Sequence, residues 1–258
     1  MVLRPLEPPQ RNAENFVPAW DAVMRLQKQH YSECWMITQP SHAALSGQIA
    51  ARLSAPQLPE LEPDLVRAIG LHDSGWGMPD AQAIMHSRSI AEGRPRSFLE
   101  MSVPEFLAAW KQSIEIAQAG SLIGGYVVSR HFWRLANHWL KTNSSDSADC
   151  AAMKGFIEQE SKRQSRLAQK DGQSADQLEA LTDVLQFCDL LSLYFCCGAA
   201  ENVEFPEFCG LKTRVTISTD GYHLEHALIE PGSHFRVAAL RHPATKEKSG
   251  EEIEIRIL

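Results

Sequence analysis

The chain has 258 residues, of which 44% are hydrophobic and 22% charged, with 15 glycines and 14 prolines. This composition is typical of a folded globular protein and excludes collagen-like, low-complexity and wholly disordered chains. The formal net charge of −7 at pH 7 is opposite in sign to that of proteins that bind mainly nucleic-acid phosphates, so we expect no nucleic-acid partner.

The first elements in chain order are an irregular arm and two helices. The arm covers residues 1–18 and is rich in proline, and because it has no long apolar run we expect no secretory signal. A helix is predicted for Ala19–His30, followed by a short strand or extended segment at Tyr31–Thr38. The next helix begins near Ser41 and carries His42 on its inward stripe.

The middle of the chain is predicted to be mostly helical. A helix begins at Pro63, carries His72 on its apolar face and ends at Gly75. An irregular loop is predicted for Met78–Phe98. Further helices are predicted at Ser102–Gln118, Ser121–Leu140, Met153–Gln173 (one helix or a helical hairpin) and Ser174–Gly198. The charges of Glu158–Lys170 favour a solvated face there, and a contact in a homo-oligomer stays open.

The pattern changes to β structure past Gly210. Strands are predicted at Arg214–Thr219, Tyr222–Ile229, Phe235–Arg241 and Glu252–Leu258, with a hairpin turn at Asp220-Gly221. The predicted fold is therefore mainly α: a helical domain at residues 1–210, followed by a small C-terminal antiparallel β appendage at residues 211–258.

The most apolar stretch of the chain is Val184–Ala200. Because Gln186, Asp189 and Ser192 interrupt it, it predicts a buried core helix rather than a membrane span, and we expect no membrane partner. The six cysteines form no CxxC pair, which favours reduced thiols and a cytoplasmic protein.

Asp189 is the only charged residue in this apolar stretch. A carboxylate that leaves water without a partner costs several kcal/mol, and no Lys or Arg lies within one helical turn of it. It therefore needs a proton, a distant cation or a metal ion. His42 and His72 lie on the inward stripes of their own helices and can converge with Asp189 in a bundle. Histidine and carboxylate ligands together suit divalent Fe, Mn or Zn.

The order His42 in TQPSHAALSG, His72-Asp73 in AIGLHDSGWG and Asp189 in FCDLLSLYF resembles the HD-domain superfamily of metal-dependent phosphohydrolases. More narrowly, the HDSGW signature and the β tail resemble an uncharacterised bacterial family known only as a domain of unknown function. The resemblance covers about three-fifths of the chain, and it implies an HD-like helical bundle. It also implies that His42, His72, Asp73 and Asp189 hold a divalent transition metal.

The number of ions stays open at one or two. Members of the superfamily with two metals have extra histidines between the HD dipeptide and the final Asp, and His131 is the candidate here because it shares the apolar stripe of its helix. His138 and His86 are weaker candidates. Known activities of the superfamily are hydrolysis of nucleotides and cyclic nucleotides, and a diiron branch oxygenates small polyols or phosphonates.

The substrate is expected to be a small anionic molecule. Arg130 beside His131, and Arg88 in the loop after the HD dipeptide, suit phosphate recognition, and Trp76 could form a wall of the pocket. Asp73 would bind the ion or act as a catalytic base. Three functions stay open: a hydrolase of a phosphate ester such as a nucleotide, a diiron oxygenase of a small polar substrate, and a non-catalytic regulatory protein stabilised by a metal.

Overall fold

A computed structural model describes residues 1–7, 9, 12–89, 94–143, 147–244 and 250–258, without the side chains of residues 12–14, 88 and 89. Its helices are α1 (Ala19–Gln27), α2 (Gln39–Ala50), α3 (Pro63–Leu71), α4 (Gly77–Ser89), α5 (Val103–Gly120), α6 (Leu122–Thr142), α7 (Ala148–Asp171) and α8 (Ala175–Cys197). Short 3-10 turns lie at Ser74–Trp76, Phe98–Glu100 and Glu225–Ala227.

The strands form two four-stranded sheets. They are β1 (Val2–Pro5), β2 (Asn12–Pro18), β3 (Cys34–Ile37), β4 (Glu201–Glu204), β5 (Arg214–Ile217), β6 (Tyr222–Leu224), β7 (His234–His242) and β8 (Gly250–Arg256). The first sheet has the order β1-β3-β7-β8 and is antiparallel. The second has the order β2-β4-β5-β6, with β2 parallel to β4.

The prediction of a mainly α fold with a small β appendage is wrong. Helices make up 57% of the described residues and dominate, but strands make up 18%, so the fold is mixed α and β. The C-terminal strands do not stand alone, because Met36 of β3 pairs with Leu240 of β7, and Val17 of β2 pairs with Val203 of β4. Both sheets therefore combine strands from the two ends of the chain.

Two segments predicted to be irregular are regular. The N-terminal arm contains β1 and β2, and most of the predicted loop Met78–Phe98 is helix α4. The strand predicted near Tyr31–Thr38 and the later helices are confirmed within a few residues at their ends, and α7 is one continuous helix. A capping box at Ser102 and Glu105 begins α5, close to the predicted start at Ser102.

Helix α8 is the central element of the core. It packs against α1, α2, α6 and β1. By length and composition it is the one helix in the described part of the chain that could cross a membrane, but 72% of its apolar window is buried inside the protein. A buried core helix passes the same test of length and hydropathy.

Two close approaches of the backbone bring the site-bearing elements together. Gly47 of α2 crosses Gly70 of α3 so closely that a Cβ on Gly47 would lie 2.8 Å from the Gly70 Cα. A Cβ on Gly75 would lie 2.0 Å from the carbonyl oxygen of Ala109 in α5. Only glycine fits at these two positions, which place the segments around His42 and His72 against the bundle.

Candidate metal centre

The polar residues that the sequence singles out on apolar faces come from four elements and meet inside the bundle. His42 lies on α2, which begins at Gln39 after the Thr38 cap and has Pro40 in its first turn, and His131 and Asp189 lie on α6 and α8. Helix α3 ends at Leu71, four residues before the predicted end at Gly75. His72 caps it and Asp73 leaves the helical conformation, with φ −112° and ψ 21°.

This early helix end turns both members of the HD dipeptide toward one centre. The Nε2 atom of His72 lies 3.3 Å from Asp189 Oδ1 and 3.7 Å from Asp73 Oδ2. The Nε2 atom of His42 lies 2.8 Å from Asp73 Oδ2, and its Nδ1 lies 3.9 Å from Asp189 Oδ1. His131 Nε2 lies 3.7 Å from Asp189 Oδ2. The structure thus brings together all five predicted metal-site residues.

The hydrogen bonds of the histidine rings fix which nitrogen faces this centre. Nδ1 of His72 donates to the carbonyl oxygen of Ile69 at 2.8 Å. Nδ1 of His42 lies 2.9 Å from Ser192 Oγ, whose own proton goes to the carbonyl oxygen of Asp189 at 2.8 Å. Because the serine hydroxyl has one proton to donate, His42 Nδ1 must be the donor to it. Both rings therefore turn Nε2 toward the carboxylates.

The two carboxylates of this centre have no permanently charged cation beside them among the described residues. Among the described residues, no Lys or Arg forms an ion pair with Asp73 or Asp189. Burial lowers the pKa of His72, but the charges of Asp73 and Asp189 outweigh it and raise this pKa to about 9. His72, with His131 and His42, in turn holds the pKa of Asp189 below its ordinary value despite burial. A proton on His72 therefore supplies positive charge that the carboxylates need.

The donor set fits a metal ion at the same place. His42, His72 and Asp189 each offer one ligand atom, and these atoms lie within 4.8 Å of one another. The Nε2 atom of His72 is buried and has no hydrogen-bond partner within the described part of the chain. Two imidazoles and a carboxylate are ligands of divalent first-row transition metals. This buried group could hold a metal ion, and it does not by itself identify the metal.

His131 sits at the edge of the centre. Burial, together with the positive charge on His72, lowers its pKa to about 4, so its ring is neutral at pH 7. Its Nδ1 atom is buried and unpaired as far as the described residues go. A neutral imidazole with an unused nitrogen can bind a cation or form a hydrogen bond with a ligand.

A cavity of about 380 Å³ opens beside His131 and Asp189. Its walls are largely aromatic and apolar: Trp20, Leu135, Phe187, Leu190, Phe205 and Phe208. Arg134 also lines it, and this guanidinium donates to Asp183 at 2.7 Å and to Glu179 at 2.5 Å. A cavity of this size suits a small molecule. The sequence pattern did not single out Arg134 or the aromatic walls, because they come from distant segments.

Two of the predicted substrate-binding residues, Arg130 and Trp76, do not line this cavity. Arg130 forms an ion pair with Glu179 at 2.8 Å and stacks over Trp133, and it does not line the cavity. Trp76 is buried against Phe106 in the core and does not line this cavity. The side chain of Arg88 lies outside the described residues.

Of the weaker histidine candidates, only His138 is near the centre. It is an exposed residue at the cavity wall, whereas His86 lies exposed on α4. Arg94 and Arg96 lie after α4 and donate to Glu100 at 2.5 Å in each case, Arg94 to its carboxylate and Arg96 to its carbonyl oxygen. These arginines are therefore engaged within their own segment.

No curated protein and no solved structure matches the chain. A family model described as a protein of unknown function, DUF3891, matches residues 24–237, a span that includes the four elements of the centre. The expectation of a family of unknown function is thereby confirmed, and the chain belongs to the DUF3891 family.

Proposed function

We propose that this protein is a metal-dependent hydrolase of a phosphate ester, with the ion held by His42, His72, Asp73 and Asp189. The observation that carries the proposal is the pair of imidazoles whose Nε2 atoms are both turned toward two carboxylates that have no Lys or Arg partner in the described part of the chain. The resemblance to the HD-domain superfamily supports the same chemistry.

The chain's own residues orient and hold the reacting groups. A bound divalent ion would lower the pKa of a water molecule and polarise a phosphoryl oxygen. Ser192 and the carbonyl oxygen of Ile69 hold the two histidine rings in the ligating tautomer. Asp73, whose Oδ2 lies 2.8 Å from His42 Nε2, would bind the ion or act as the catalytic base. Neutral His131 faces the cavity and can donate a hydrogen bond to the substrate.

The charge of the cavity narrows the substrate class. Arg134 is already paired with Glu179 and Asp183, and Asp183 and Glu207 also line the cavity. These groups leave no surplus positive charge for a highly charged anion. We therefore favour a phosphate monoester or diester with an apolar group over a nucleoside triphosphate, and we expect no nucleic-acid or membrane partner.

The test combines metal content with turnover. Purified protein is analysed for metal per chain and then incubated with Mn, Fe, Zn or Mg and a panel of phosphomonoesters, phosphodiesters and nucleotides. We expect bound transition metal and turnover of an uncharged-alcohol ester, both lost in His72→Ala. Metal bound without turnover above the His72→Ala background would reject hydrolysis and leave a non-catalytic, metal-stabilised protein.

A diiron oxygenase is the second candidate, and the position of His131 favours it. His131 adds a third histidine to the centre, with its Nε2 3.7 Å from Asp189 Oδ2, and its Nδ1 has no partner among the described residues. This candidate predicts two irons per chain, an absorption change on exposure to oxygen, and loss of one iron in His131→Ala. One metal per chain, unchanged in His131→Ala, would reject it.

A further inference from the structure

A second cavity adjoins the cavity of the metal centre. Its volume is about 690 Å³, and it lies between α1, α5 and α6. Trp20, Leu135 and His138 line both cavities. A ligand that lies across these three side chains therefore reaches from the metal centre into the second cavity.

The walls of the second cavity are mainly apolar. They include Met24, Phe98, Met101, Phe106, Trp110 and Trp139. The charged residues in this wall, Lys28 and Glu100, have opposite signs, and Glu100 is already paired with Arg94. Such a lining favours burial of apolar groups and offers little to a charged ligand.

The two cavities together specify a ligand with two different ends. The cavity beside His131 and Asp189 meets the polar, reacting end, and its Arg134 is already paired. Affinity for the ligand must then come largely from apolar burial in the second cavity. The size of that cavity, about 690 Å³, exceeds the needs of one ring and suits a chain.

Building on the proposed function, we propose that the second cavity binds an aliphatic chain of the substrate, so that the substrate class is the phosphate ester of a long-chain alcohol. The phosphate lies at the metal centre, and the chain passes over Trp20 and Leu135 toward Met101 and Trp139.

The experiment measures binding without turnover. Metal-loaded protein is titrated by calorimetry with butyl-, octyl- and dodecylphosphonate, kept below their micellar concentrations, because hydrolysis of a phosphate ester cannot cleave the carbon–phosphorus bond. Burial in a half-open apolar cavity predicts a gain of about twofold to fourfold in affinity per methylene until the cavity is filled. Equal affinity for butyl- and dodecylphosphonate would overturn the proposal.

Variants locate the chain-binding surface. Met101→Glu places a charge in the second cavity and should reduce the ratio of dodecyl to butyl affinity by about tenfold or more. The matched control is Met85→Glu, an exposed methionine on α4 that is not part of either cavity wall, which should keep the wild-type ratio. A wild-type ratio in folded Met101→Glu would overturn the assignment of the second cavity as the chain-binding site. The chain-length series on the wild-type protein tests the proposal even if the variant does not fold.

The outcomes separate this proposal from the function on which it rests. Turnover of short-chain phosphate esters with no dependence of affinity on chain length rejects the chain-binding cavity and keeps the hydrolase. Affinity that rises with chain length, without turnover of any phosphate ester, supports the cavity and rejects the hydrolase.

Discussion

Two buried polar clusters each include a residue of α6, His131 in one and Ser129 in the other. They differ in the groups that neutralise their carboxylates. At the metal centre, His131 faces Asp189, whose neighbours are imidazoles. In the second cluster, Ser129 donates to Glu160 of α7 at 2.8 Å, and Arg163 forms an ion pair with the same Oε2 oxygen at 2.9 Å. Glu160 is fully buried, at 0% exposure, so it is no less removed from water than Asp189.

This difference marks the centre around Asp189, and not the Glu160 cluster, as a candidate metal site. Glu160 has a permanent cation from its own helix. Gln164 donates to Ser129, and Arg163 donates to Gln118. In the described part of the chain, the ion-pair partners of Asp73 and Asp189 are histidines, whose charge depends on a proton that a metal ion can replace. A buried carboxylate without a permanent cation is therefore the better indicator of a ligand site in this fold.

The largest expected effect is on metal content in Asp189→Asn. The amide keeps the size of the side chain but removes the negative charge that two histidines and an ion would share. Loss of an outer-shell partner costs about 10- to 100-fold in metal affinity, and loss of a ligand should exceed that. Elemental analysis after gel filtration should find metal bound to the wild type and only a trace in Asp189→Asn. Retention of stoichiometric metal would place the ion elsewhere.

The second prediction concerns stability in the Glu160 cluster. Arg163→Ala leaves a fully buried carboxylate without its cation, which costs about 3–5 kcal/mol of unfolding free energy. The matched control is Arg166→Ala, an exposed arginine on the same helix, which should change stability by less than about 0.5 kcal/mol. Urea unfolding measures both. Metal content should stay at the wild-type level in each variant, and a metal loss in Arg163→Ala would remove the contrast between the clusters.

The convergence of His42, His72 and Asp189 was within reach of the sequence, because helical periodicity shows which side chains face inward. The approach of Asp73 depended on the end of α3, which periodicity places only to within a few residues. The buried Glu160 was missed because it lies in a run of charges that predicts a solvated face. Nothing local to that run shows that Ser129 of another helix meets it.

The errors in the fold have a similar cause. Strands β1 and β2 are rich in proline or polar residues, and they exist because β3 and β4 pair with them from distant parts of the chain. Helix α4 was predicted as a loop because Gly77 and Pro79 mark its first turn and no apolar stripe follows. Proline is tolerated there because the first turn of a helix has unpaired N–H groups anyway.

Removal of the metal should change the melting temperature of variants of the two clusters differently. An ion that binds only the folded state stabilises it by about 2.7 kcal/mol at 100 times its Kd. Chelation should therefore lower the melting temperature of the wild type and lower that of Arg163→Ala by a comparable amount, since the clusters share no partner. Asp189→Asn should show no response to the chelator. An unchanged wild-type melting curve would contradict a metal bound in the folded state.

The smallest expected effect tests the orientation of His42. Ser192→Ala removes the acceptor of the His42 Nδ1 proton. The single proton of the neutral ring is then no longer held on Nδ1 and can move to Nε2, where it blocks metal binding. Metal affinity should therefore fall by about 10- to 100-fold. The matched control is Ser46→Ala, which removes a neighbouring hydroxyl that bonds Ser192 at 2.8 Å without touching the ring. Both variants lose about 1 kcal/mol of stability from a lost hydrogen bond, so only the affinity separates them. Equal metal affinity in the two variants would mean that packing alone orients His42, and that the hydrogen-bonded shell which distinguishes this centre from the Glu160 cluster is structural.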